Sequence, residues 1–438
     1  MRPVVKRNLF VPFTQVRNSL RFLSRSFVSG SQYSHRPSSG RYEFPRSKSG
    51  RGPVTDAGGS GAAGADPGGA GGLRVLVVNA GSSSLKLRLL DPADQIANSV
   101  DLPAPRGIAE GEAVCRALDG LGPVDAVGHR IVHGGTQFLG PVRVTDQVVR
   151  RLEALTDLAP LHQPKSLAAL AAVSAALPGV PAVACFDTAF HAGIPAAAST
   201  YALPLEWRKR WDLRRFGFHG LSHSYVARRV SQLPGRPAEG LRLVSGHLGA
   251  GASLAAIQDG RSVDTTMGFT PLEGLVMATR SGSVDPGLVL WLEEHVGMPP
   301  AELAAALEYR GGLLGLAGQS DMRAVLAAEA QDDGEAALAV AVYLHRLRAA
   351  IAAMAAAMGG LDALAFTGGV GENSAPIRER AAEGLAFLGV NVDQALDAGA
   401  GDREVTAAGA RVRTFIIAAR EDLQIAAEVR AVLSEPPA

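Results

Sequence analysis

The sequence predicts an α/β protein in which one strand–turn–strand unit occurs twice. The first unit is an apolar run at 75–78, followed by small and hydroxyl-bearing residues and then by leucines at 85, 87 and 89. Such a run and the period-2 leucines are typical of two paired strands. The second unit, at 242–257, repeats this plan about 170 residues later. Two such hairpins predict a duplicated α/β fold, with each turn facing a cleft between the copies.

Composition limits the class of protein and its partners. The 438 residues suffice for about two or three domains, and 47% of them are hydrophobic. The net charge of +1 disfavours a nucleic-acid or membrane-surface role. The two cysteines, Cys115 and Cys185, fit a reducing compartment, so a cytoplasmic location is expected. No membrane span is expected, because charged residues interrupt the alanine-rich run at 336–358, which predicts an amphipathic helix.

The first 72 residues differ from the rest of the chain. Residues 1–51 are rich in Arg and Ser, with Glu43 as their only acid, and residues 52–72 are mostly Gly, Ala, Asp and Pro. Neither half has the apolar periodicity of a packed core, so disorder is expected. Two interpretations stay open, namely a transit peptide that would make the protein organellar, and a non-functional extension.

The first hairpin turn carries chemistry suited to phosphate. The octet from Asn79 to Lys86 supplies an amide, three serines and a lysine directly after a buried strand. Backbone N–H groups and hydroxyls in such a turn can surround phosphate oxygens, and an Asn carbonyl is a suitable ligand for magnesium. An ordinary Gly/Ser hairpin turn is the alternative.

Two further strands are expected to end at charged side chains. The strand within 125–135 carries Arg130, whose planar fork suits phosphate or carboxylate, although a surface arginine is the alternative. The strand at 183–186 precedes Asp187, which is expected either to orient substrate or metal or to cap a loop. Helices are predicted at 147–155 and 167–177, and the proline-rich stretch 158–165 is predicted to be irregular.

A pair of histidines, His219 and His223, stands at the start of the next predicted helix. Their spacing of four is compatible with zinc, but the glutamate of a zincin motif and an obvious third ligand are missing. A hydrogen bond from His219 to a phosphoryl oxygen is the better hypothesis.

The second half of the chain is expected to provide a nucleotide site. The turn after the strand at 242–247 is not a P-loop, because no Lys-Ser/Thr follows its glycines. The long segment 264–287 contains Arg280 and has the length of a functional loop. Helices are predicted at 288–296, 300–309, 321–330 and 335–358. A strand, a glycine turn and a helix start occupy 363–374, which suits phosphate, and a strand at 413–418 leads to a closing helix at 420–429.

Together these segments resemble the acetate kinase family over residues 73 to about 430. Their joint occurrence in this order is very specific, although no single motif is. The segments that carry the resemblance are 79–86, 128–135, 158–162, 186–191, 216–220, 268–274 and 368–374.

The resemblance implies two ribonuclease-H-like domains of the actin-like ATPase superfold on either side of a cleft, usually in a homodimer. The expected domains are 73–190 with 420–438, and 191–419. The implied reaction is reversible transfer of the ATP γ-phosphoryl group to acetate, giving acetyl phosphate and ADP with Mg²⁺ or Mn²⁺. A propionate or butyrate kinase is the alternative within the family. A nucleotide-binding module without kinase activity is less favoured, because Arg130, Arg280 and Glu421 are all present.

The resemblance also implies roles for individual residues. Asp187, His219 and Arg280 resemble the catalytic group, and Asn79 and Glu421 the metal ligands. The implied substrate contacts are Arg130, Val132, Leu161, Phe218 and Pro271. The implied nucleotide contacts are Lys86, His247, Leu248, Gly249, Ala250, Gly251, Asp321, Met322, Arg323, Gly369, Val370, Gly371, Glu372 and Asn373. Because acetate is already ionised at neutral pH, Asp187 is expected to orient other groups rather than to act as a base.

The chain departs from the family pattern at three positions. Ala250 stands where an Asn is usual, which removes a side-chain hydrogen bond near the phosphates and leaves the phosphoryl donor open between ATP and another, such as pyrophosphate. Gln163 also stands where an Asn is usual, and the family has a further Asn near Ser166, beside the segment 158–162.

Overall fold

The computed structural model describes residues 72–81, 84–104, 111–159, 163–233 and 240–435. The predictions for residues 1–71, for the serines at 82 and 83 and for Leu161 fall outside the described residues.

The first half of the described chain forms a six-stranded sheet. Its strands lie in the order β3-β2-β1-β4-β6-β5. The hairpin β1–β2 and the strand β3 are antiparallel, β4 and β6 run parallel to β1, and the short β5 closes the far edge antiparallel to β6. The strands are β1 (Val75–Ala80), β2 (Ser84–Leu90), β3 (Ile96–Pro103), β4 (Ala126–Ile131), β5 (Val142–Arg143) and β6 (Ala182–Phe186).

The second half forms a second six-stranded sheet with the same plan. Read from one edge, its order is β9-β8-β7-β10-β12-β11, and each pairing matches its counterpart in the first sheet in direction. The predicted duplicated α/β fold is therefore confirmed. The strands are β7 (Arg242–Leu248), β8 (Ala252–Gln258), β9 (Arg261–Thr265), β10 (Ala363–Thr367), β11 (Arg403–Glu404) and β12 (Arg413–Ile416).

Helices cover both sheets. The helices of the first half and of the connection are α1 (Gly111–Leu121), α2 (Asp146–Glu153), α3 (Gln163–Ala176), α4 (Ala196–Ser199), α5 (Leu205–Trp211) and α6 (Gly220–Gln232). Those that follow are α7 (Pro286–Val296), α8 (Pro300–Tyr309), α9 (Gly312–Ala317), α10 (Met322–Glu329), α11 (Gly334–Ala357), α12 (Gly368–Asn373), α13 (Ala375–Glu383), α14 (Gln394–Asp397) and α15 (Glu421–Ser434).

The period-2 pattern of β1 decides how helices cover the first sheet. Leu76 and Val78 point to one face, where they pack with residues of α1 and α3. Val75 and Val77 point to the other face, where they pack with residues of α6 and α15. The closing helix α15 therefore packs on the first sheet, although the second sheet precedes it in the chain.

The second sheet is covered in the same way. α11 packs on the face that carries Leu364 and Phe366, and α6 packs on the face that carries Ala363 and Ala365. Because α6 also contacts α15 and β6, these two helices lie between the sheets. The predicted domain boundaries, between 190 and 191 and between 419 and 420, stay a prediction.

Helix α11 buries one face, as its amphipathic pattern predicts. By length and composition alone it is long and apolar enough to cross a membrane. Its buried residues recur every three or four positions, from Ala336 to Ala355, and join the largest core cluster. His345 and Arg346 lie on the exposed face. Helix α11 is therefore a helix of the protein core.

The prediction of irregular structure at 158–165 is wrong at its C-terminal end. Helix α3 begins at Gln163, so that Pro164 and Lys165 belong to its first turn. Proline is tolerated there because the first helical N–H groups have no partner within the helix. The glycine segment after β10 also differs, because the glycines predicted to form a turn belong to the short helix α12, which ends at Asn373.

Candidate active site

Arg130 and Asp187 form a two-point ion pair at the edge of the first sheet. Arg130 lies near the end of β4, and Asp187 follows β6, the parallel neighbour of that strand. The guanidinium donates from Nε to Oδ1 at 3.0 Å and from Nη2 to Oδ2 at 2.7 Å. The side chain of Asp187 is 2% exposed and that of Arg130 is 18% exposed, so the pair is largely shielded from solvent. Such a pair fixes the plane of the arginine.

Asn79 and Glu421 adjoin this pair, although 342 positions of the chain separate them. The amide of Asn79, on β1, donates to the carboxylate of Glu421, the first residue of α15, at 3.3 Å. The Asn79 carbonyl accepts from Arg130 at 3.1 Å, and Glu421 lies 3.8 Å from the same guanidinium. The side-chain oxygens of Asn79 and Glu421 thus lie beside one cation, Arg130.

The charges in this group shift one another's protonation. Burial raises the pKa of Asp187, and Arg130 offsets only part of that rise. Burial would also raise the pKa of Glu421, but Arg130 and then His247 hold that pKa below its ordinary value. Burial opposes the charge of Arg130, yet Asp187 and Glu421 together raise the pKa of the guanidinium. Glu421 is therefore ionised at neutral pH, and Arg130 is a permanent cation.

His219 and Arg280 face the same space from the second half of the chain. His219 is the residue before α6 and has left-handed backbone angles, φ 56° and ψ 23°, which a residue with a side chain rarely adopts. Arg280, in the long loop after β9, donates from Nε to Glu308 at 3.0 Å and from Nη1 to the carbonyl of Pro271 at 3.3 Å. A Cβ placed on Gly251 would lie 3.4 Å from His219 Nε2 and 3.5 Å from Arg280 Nη1. The two side chains therefore converge on the turn of the second hairpin.

Burial favours the neutral form of His219 and of the neighbouring His247. Burial, followed by the nearby His247 and Arg130, lowers the pKa of His219 well below its usual value. Burial also lowers the pKa of His247, although Glu421 opposes this shift. The two imidazoles stack with ring centres 4.4 Å apart. A neutral imidazole can donate one hydrogen bond and accept another.

Three adjoining cavities connect these residues. The central cavity, of about 440 Å³, is lined by Arg130, Asp187, His219 and Arg280. The hairpin cavity, of about 460 Å³, shares Arg130 with it and is lined by Asn79, Lys86, His247, Glu372 and Glu421. The outer cavity, of about 650 Å³, shares Ala250 with the central cavity and Gly369 with the hairpin cavity. The shared lining residues show that the three cavities are neighbours.

The central cavity has an apolar wall beside Arg130. Val132 and Phe218, which are 8% and 1% exposed, and the half-buried Pro271 form this wall. Leu161, the other apolar residue predicted here, lies outside the described residues. The cavity thus presents a cation and a small apolar surface side by side.

Most of the residues predicted to contact nucleotide line the outer cavity or the hairpin cavity. The outer cavity is lined by Gly249, Ala250, Asp321, Met322, Arg323, Gly369, Val370 and Asn373. Gly251 instead lines the central cavity. The side chain of Leu248 packs in the core, and the carbonyl of Gly371 accepts from Arg378, so these two predicted contacts line none of the three cavities.

Comparisons with known proteins match this arrangement. The model of a family described as "Acetokinase family" matches residues 112–427. The acetate kinase of Streptomyces coelicolor is 42% identical over 83% of this chain and 97% of its own length. The chain belongs to the acetokinase family.

Solved structures show the same family relationship. The crystal structure of Porphyromonas gingivalis acetate kinase superposes with a TM-score of 0.76 at 35% identity, covering 82% of this chain and all of that one. A propionate kinase from Francisella tularensis gives a TM-score of 0.75 at 32% identity, with coverage of 82% and 100%. The acetokinase-family prediction made from the motifs is therefore confirmed.

The acetokinase-family site contains residues that the sequence did not reveal. Glu308 holds Arg280, but it lies in the last turn of α8 within a helical run that has no motif. Ser253 hydrogen-bonds His219 at 2.9 Å and stands in an ordinary strand position on β8. Neither residue carries a sequence signal, because each acts through a contact that only the fold creates.

The zinc hypothesis finds no support at this site. In the ranges that the structure describes, no group of three His, Cys, Asp or Glu side chains is placed to hold a metal. Both ring nitrogens of His223 are hydrogen-bonded to serines, Ser245 at 2.9 Å and Ser253 at 2.8 Å. His223 is therefore occupied as a hydrogen-bonding core residue.

Proposed function

We propose that this chain is an acetate kinase, which transfers the γ-phosphoryl group of ATP reversibly and in line to acetate, giving acetyl phosphate and ADP. Family membership supports the reaction class. The observation that carries the proposal is the central cavity, where Arg130, His219 and Arg280 converge beside a small apolar wall. A phosphoryl group in transfer spreads negative charge over its oxygens, so catalysis needs positioned cations and hydrogen-bond donors.

Arg130 binds the carboxylate of acetate in this proposal. Among the described residues, its contacts to Asp187 and Asn79 use three of its five N–H groups, which leaves two for a ligand. The methyl group of acetate then lies against Val132, Phe218 and Pro271. The role of Asp187 is to hold Arg130 in place, because both of its oxygens accept from that guanidinium. No general base is required, since acetate is ionised at neutral pH.

His219 and Arg280 stabilise the group in transfer. Both face Gly251 at the boundary between the acetate pocket and the outer cavity. Each presents a donor on that side, a neutral imidazole and a guanidinium. Removing one such donor from a phosphoryl or acyl transfer site slows reactions by about a hundredfold or more.

Asn79 and Glu421 are suited to hold Mg²⁺. They offer an amide oxygen and an ionised carboxylate on two side chains that are joined by a hydrogen bond from the Asn79 amide nitrogen to Glu421, and magnesium is usually bound by one or two carboxylates together with water and substrate phosphates. The ion, when bound, neutralises charge on the phosphates of the nucleotide. Lys86 and His247 line the same hairpin cavity and add positive charge or a donor to it.

The nucleotide occupies the outer cavity in this proposal. Its volume of about 650 Å³ is in the range of small-molecule sites, and glycines at 249 and 369 let backbone approach the phosphates. Ala250 has no hydrogen-bonding side chain at the junction with the central cavity. The identity of the phosphoryl donor is therefore tested separately from that of the phosphoryl acceptor.

A propionate or butyrate kinase is the second candidate. The similarity to a solved propionate kinase favours keeping it. One methylene in an apolar pocket is worth only about 1–3 kcal/mol of discrimination. Propionate is therefore expected to be a poorer but measurable substrate.

The assembly and location are proposals of the same kind. A homodimer is supported by helix α7, which has no buried residue and exposes Leu288, Leu290 and Trp291. A cytoplasmic location is supported by free cysteines at 115 and 185. Sedimentation analysis of the purified chain tests the first of these.

A hydroxamate assay with acetate, ATP and Mg²⁺ tests the proposed reaction. The wild type should form acetyl phosphate, and Arg280→Ala should lower kcat at least about a hundredfold because a donor to the transferred group is lost. Arg116→Ala, at a largely exposed position on α1, is the control and should retain activity.

Two outcomes would redirect the proposal. Product from propionate or butyrate but not from acetate would keep the site and change the substrate. No product from any short acid with ATP would require the same assay with pyrophosphate, and failure there would refute the kinase assignment.

A further inference from the structure

A buried chain of hydrogen bonds lies behind His219 on the side away from the cleft. His219 Nδ1 is 2.9 Å from the hydroxyl of Ser253, and this hydroxyl is 2.8 Å from His223 Nε2. His223 Nδ1 is in turn 2.9 Å from the hydroxyl of Ser245. Ser245, Ser253 and His223 are all 0% exposed. The chain therefore links the side chain that faces the cleft to a serine in the core of the second sheet.

The inner end of this chain determines its direction. Burial lowers the pKa of His223 well below its usual value, so the ring is neutral, with one N–H and one lone pair. The hydroxyl of Ser245 has no other hydrogen-bond partner in the described part of the chain. Its hydrogen must therefore go to His223 Nδ1, because the opposite direction would leave a buried donor unsatisfied.

The remaining bonds follow from that choice. With Nδ1 accepting, His223 carries its hydrogen on Nε2 and donates it to Ser253. The hydroxyl of Ser253 then donates to His219 Nδ1. His219 must carry its own hydrogen on Nε2, which is the nitrogen beside Gly251 and Arg280.

We propose that Ser245, His223 and Ser253 are positioning residues that fix His219 as the tautomer with its hydrogen on Nε2. Resting on the proposed phosphoryl transfer, this assignment makes His219 a hydrogen-bond donor to the group in transfer. No proton leaves His219 in this role. The three residues act through His219 and do not touch substrate.

His247 provides an internal comparison. Its Nδ1 is 2.7 Å from the hydroxyl of the buried Ser222, and its ring stacks on that of His219. One serine on α6 therefore contacts Nδ1 of His247, whereas a chain of three residues supports Nδ1 of His219. Substitution of Ser222 should disturb His247 but leave the tautomer of His219 intact.

The tautomer can be measured without substrate in the full-length protein labelled with ¹⁵N-histidine. The His219 signals, assigned by their loss in His219→Gln, should show a protonated Nε2 and an unprotonated Nδ1 at neutral pH. The reverse pattern would overturn the proposal whatever the activity of the protein. If the expected pattern were found in a protein that phosphorylates no short acid, the proposed function would fail and the tautomer assignment would stand.

Variants test the dependence on the chain. Ser245→Ala should give a mixture of His219 tautomers and lower kcat about two- to tenfold, in proportion to the remaining Nε2–H fraction, with KM for acetate nearly unchanged. Ser245→Thr keeps the hydroxyl and should restore both. Ser222→Ala is the control and should leave His219 in the Nε2–H form, as in the wild type.

The substitution at Ser245 is expected to fold, because its neighbours across the sheet are Ala255 and Ala365 and the change removes only one oxygen. If Ser245→Ala kept His219 wholly in the Nε2–H form, the chain would not set the tautomer and the proposal would be wrong.

Discussion

The carboxylate of Glu308 helps to orient Arg280. Glu308 accepts from Arg280 Nε at 3.0 Å, and the side chains of the two residues are 13% and 19% exposed respectively. Ion pairs at such burial are screened less than surface pairs, so they hold a long side chain in one position. The carbonyl of Pro271 accepts from the same guanidinium, which links Arg280 to the apolar wall of the central cavity.

We predict that Glu308→Gln lowers kcat about tenfold, because a neutral amide holds the guanidinium less firmly and a misplaced donor stabilises the transition state less well. The KM for acetate should change little, since Arg130 is untouched. Steady-state kinetics measure both values.

Glu302→Gln is the matched control for this prediction. Glu302 lies on the same helix, α8, and its pair with Arg310 is long, at 3.9 Å, and more than half exposed. This variant should behave as the wild type. Equal losses of kcat in the two variants would mean that α8, rather than the Glu308 contact, is what matters.

At the scale of elements, the contact between α15 and β4 positions Glu421. Gly128 lies where α15 crosses β4, and a Cβ at this residue would stand 2.4 Å from Ile425 Cγ2 and 2.8 Å from Val429 Cγ2. The absence of a side chain at 128 thus lets the closing helix approach the first sheet. The position of α15 therefore also sets the position of the Glu421 carboxylate, because Glu421 is the first residue of this helix.

We predict that Gly128→Ala lowers the free energy of unfolding by about 1–3 kcal/mol through overpacking. In the Gly128→Ala protein, Ile425→Ala should lower the free energy of unfolding by less than it does in the wild type. The expected coupling is at least about 0.5 kcal/mol in a double-mutant cycle. Urea unfolding of the wild type, the two single variants and the double variant measures this coupling.

Gly120→Ala serves as the control substitution, because nothing lies within 4 Å of a Cβ at that position in α1. Alanine there should be neutral or should stabilise by up to about 1 kcal/mol. Simple additivity of Gly128→Ala and Ile425→Ala would show that the close approach is not what glycine provides at 128.

Elements with strong periodicity could be predicted from sequence, and contacts between distant elements could not. Both hairpins, β4, β6 and α11 follow from apolar patterns. The edge strands β5 and β11, of two residues each, carry no such pattern, because their pairing partners alone define them. Arg130 and Asp187 were expected at strand ends, but their bond depends on the parallel register of β4 and β6.

At the scale of the whole molecule, buried histidines tie stability to pH. Burial lowers the pKa of His129, His133 and His191 from 6.5 to about 4. The unfolded chain therefore binds protons between about pH 6.5 and pH 4 that the folded chain does not. Stability is complete above this window and falls as the pH drops through it, by up to about 3 kcal/mol for each group.

We predict that His129→Leu reduces the number of protons taken up on unfolding in this pH window by about one, and so makes the free energy of unfolding depend less on pH. Neither ring nitrogen of His129 has a hydrogen-bond partner in the described ranges, so the apolar replacement removes no bond. The free energy of unfolding near pH 7 should stay level or rise. Urea unfolding at several pH values between 4 and 7 measures the slope, and a slope equal to that of the wild type would contradict the assignment.

The link between Asn79 and Glu421 also constrains how the protein is made. The residues that line the hairpin cavity come from both ends of the described chain, 342 positions apart. During synthesis, the strands of both sheets can emerge from the ribosome before Glu421 and the rest of α15, which packs on the first sheet, exist. A nascent chain therefore cannot pair Asn79 with Glu421 until Glu421 itself has been synthesised and has left the ribosome.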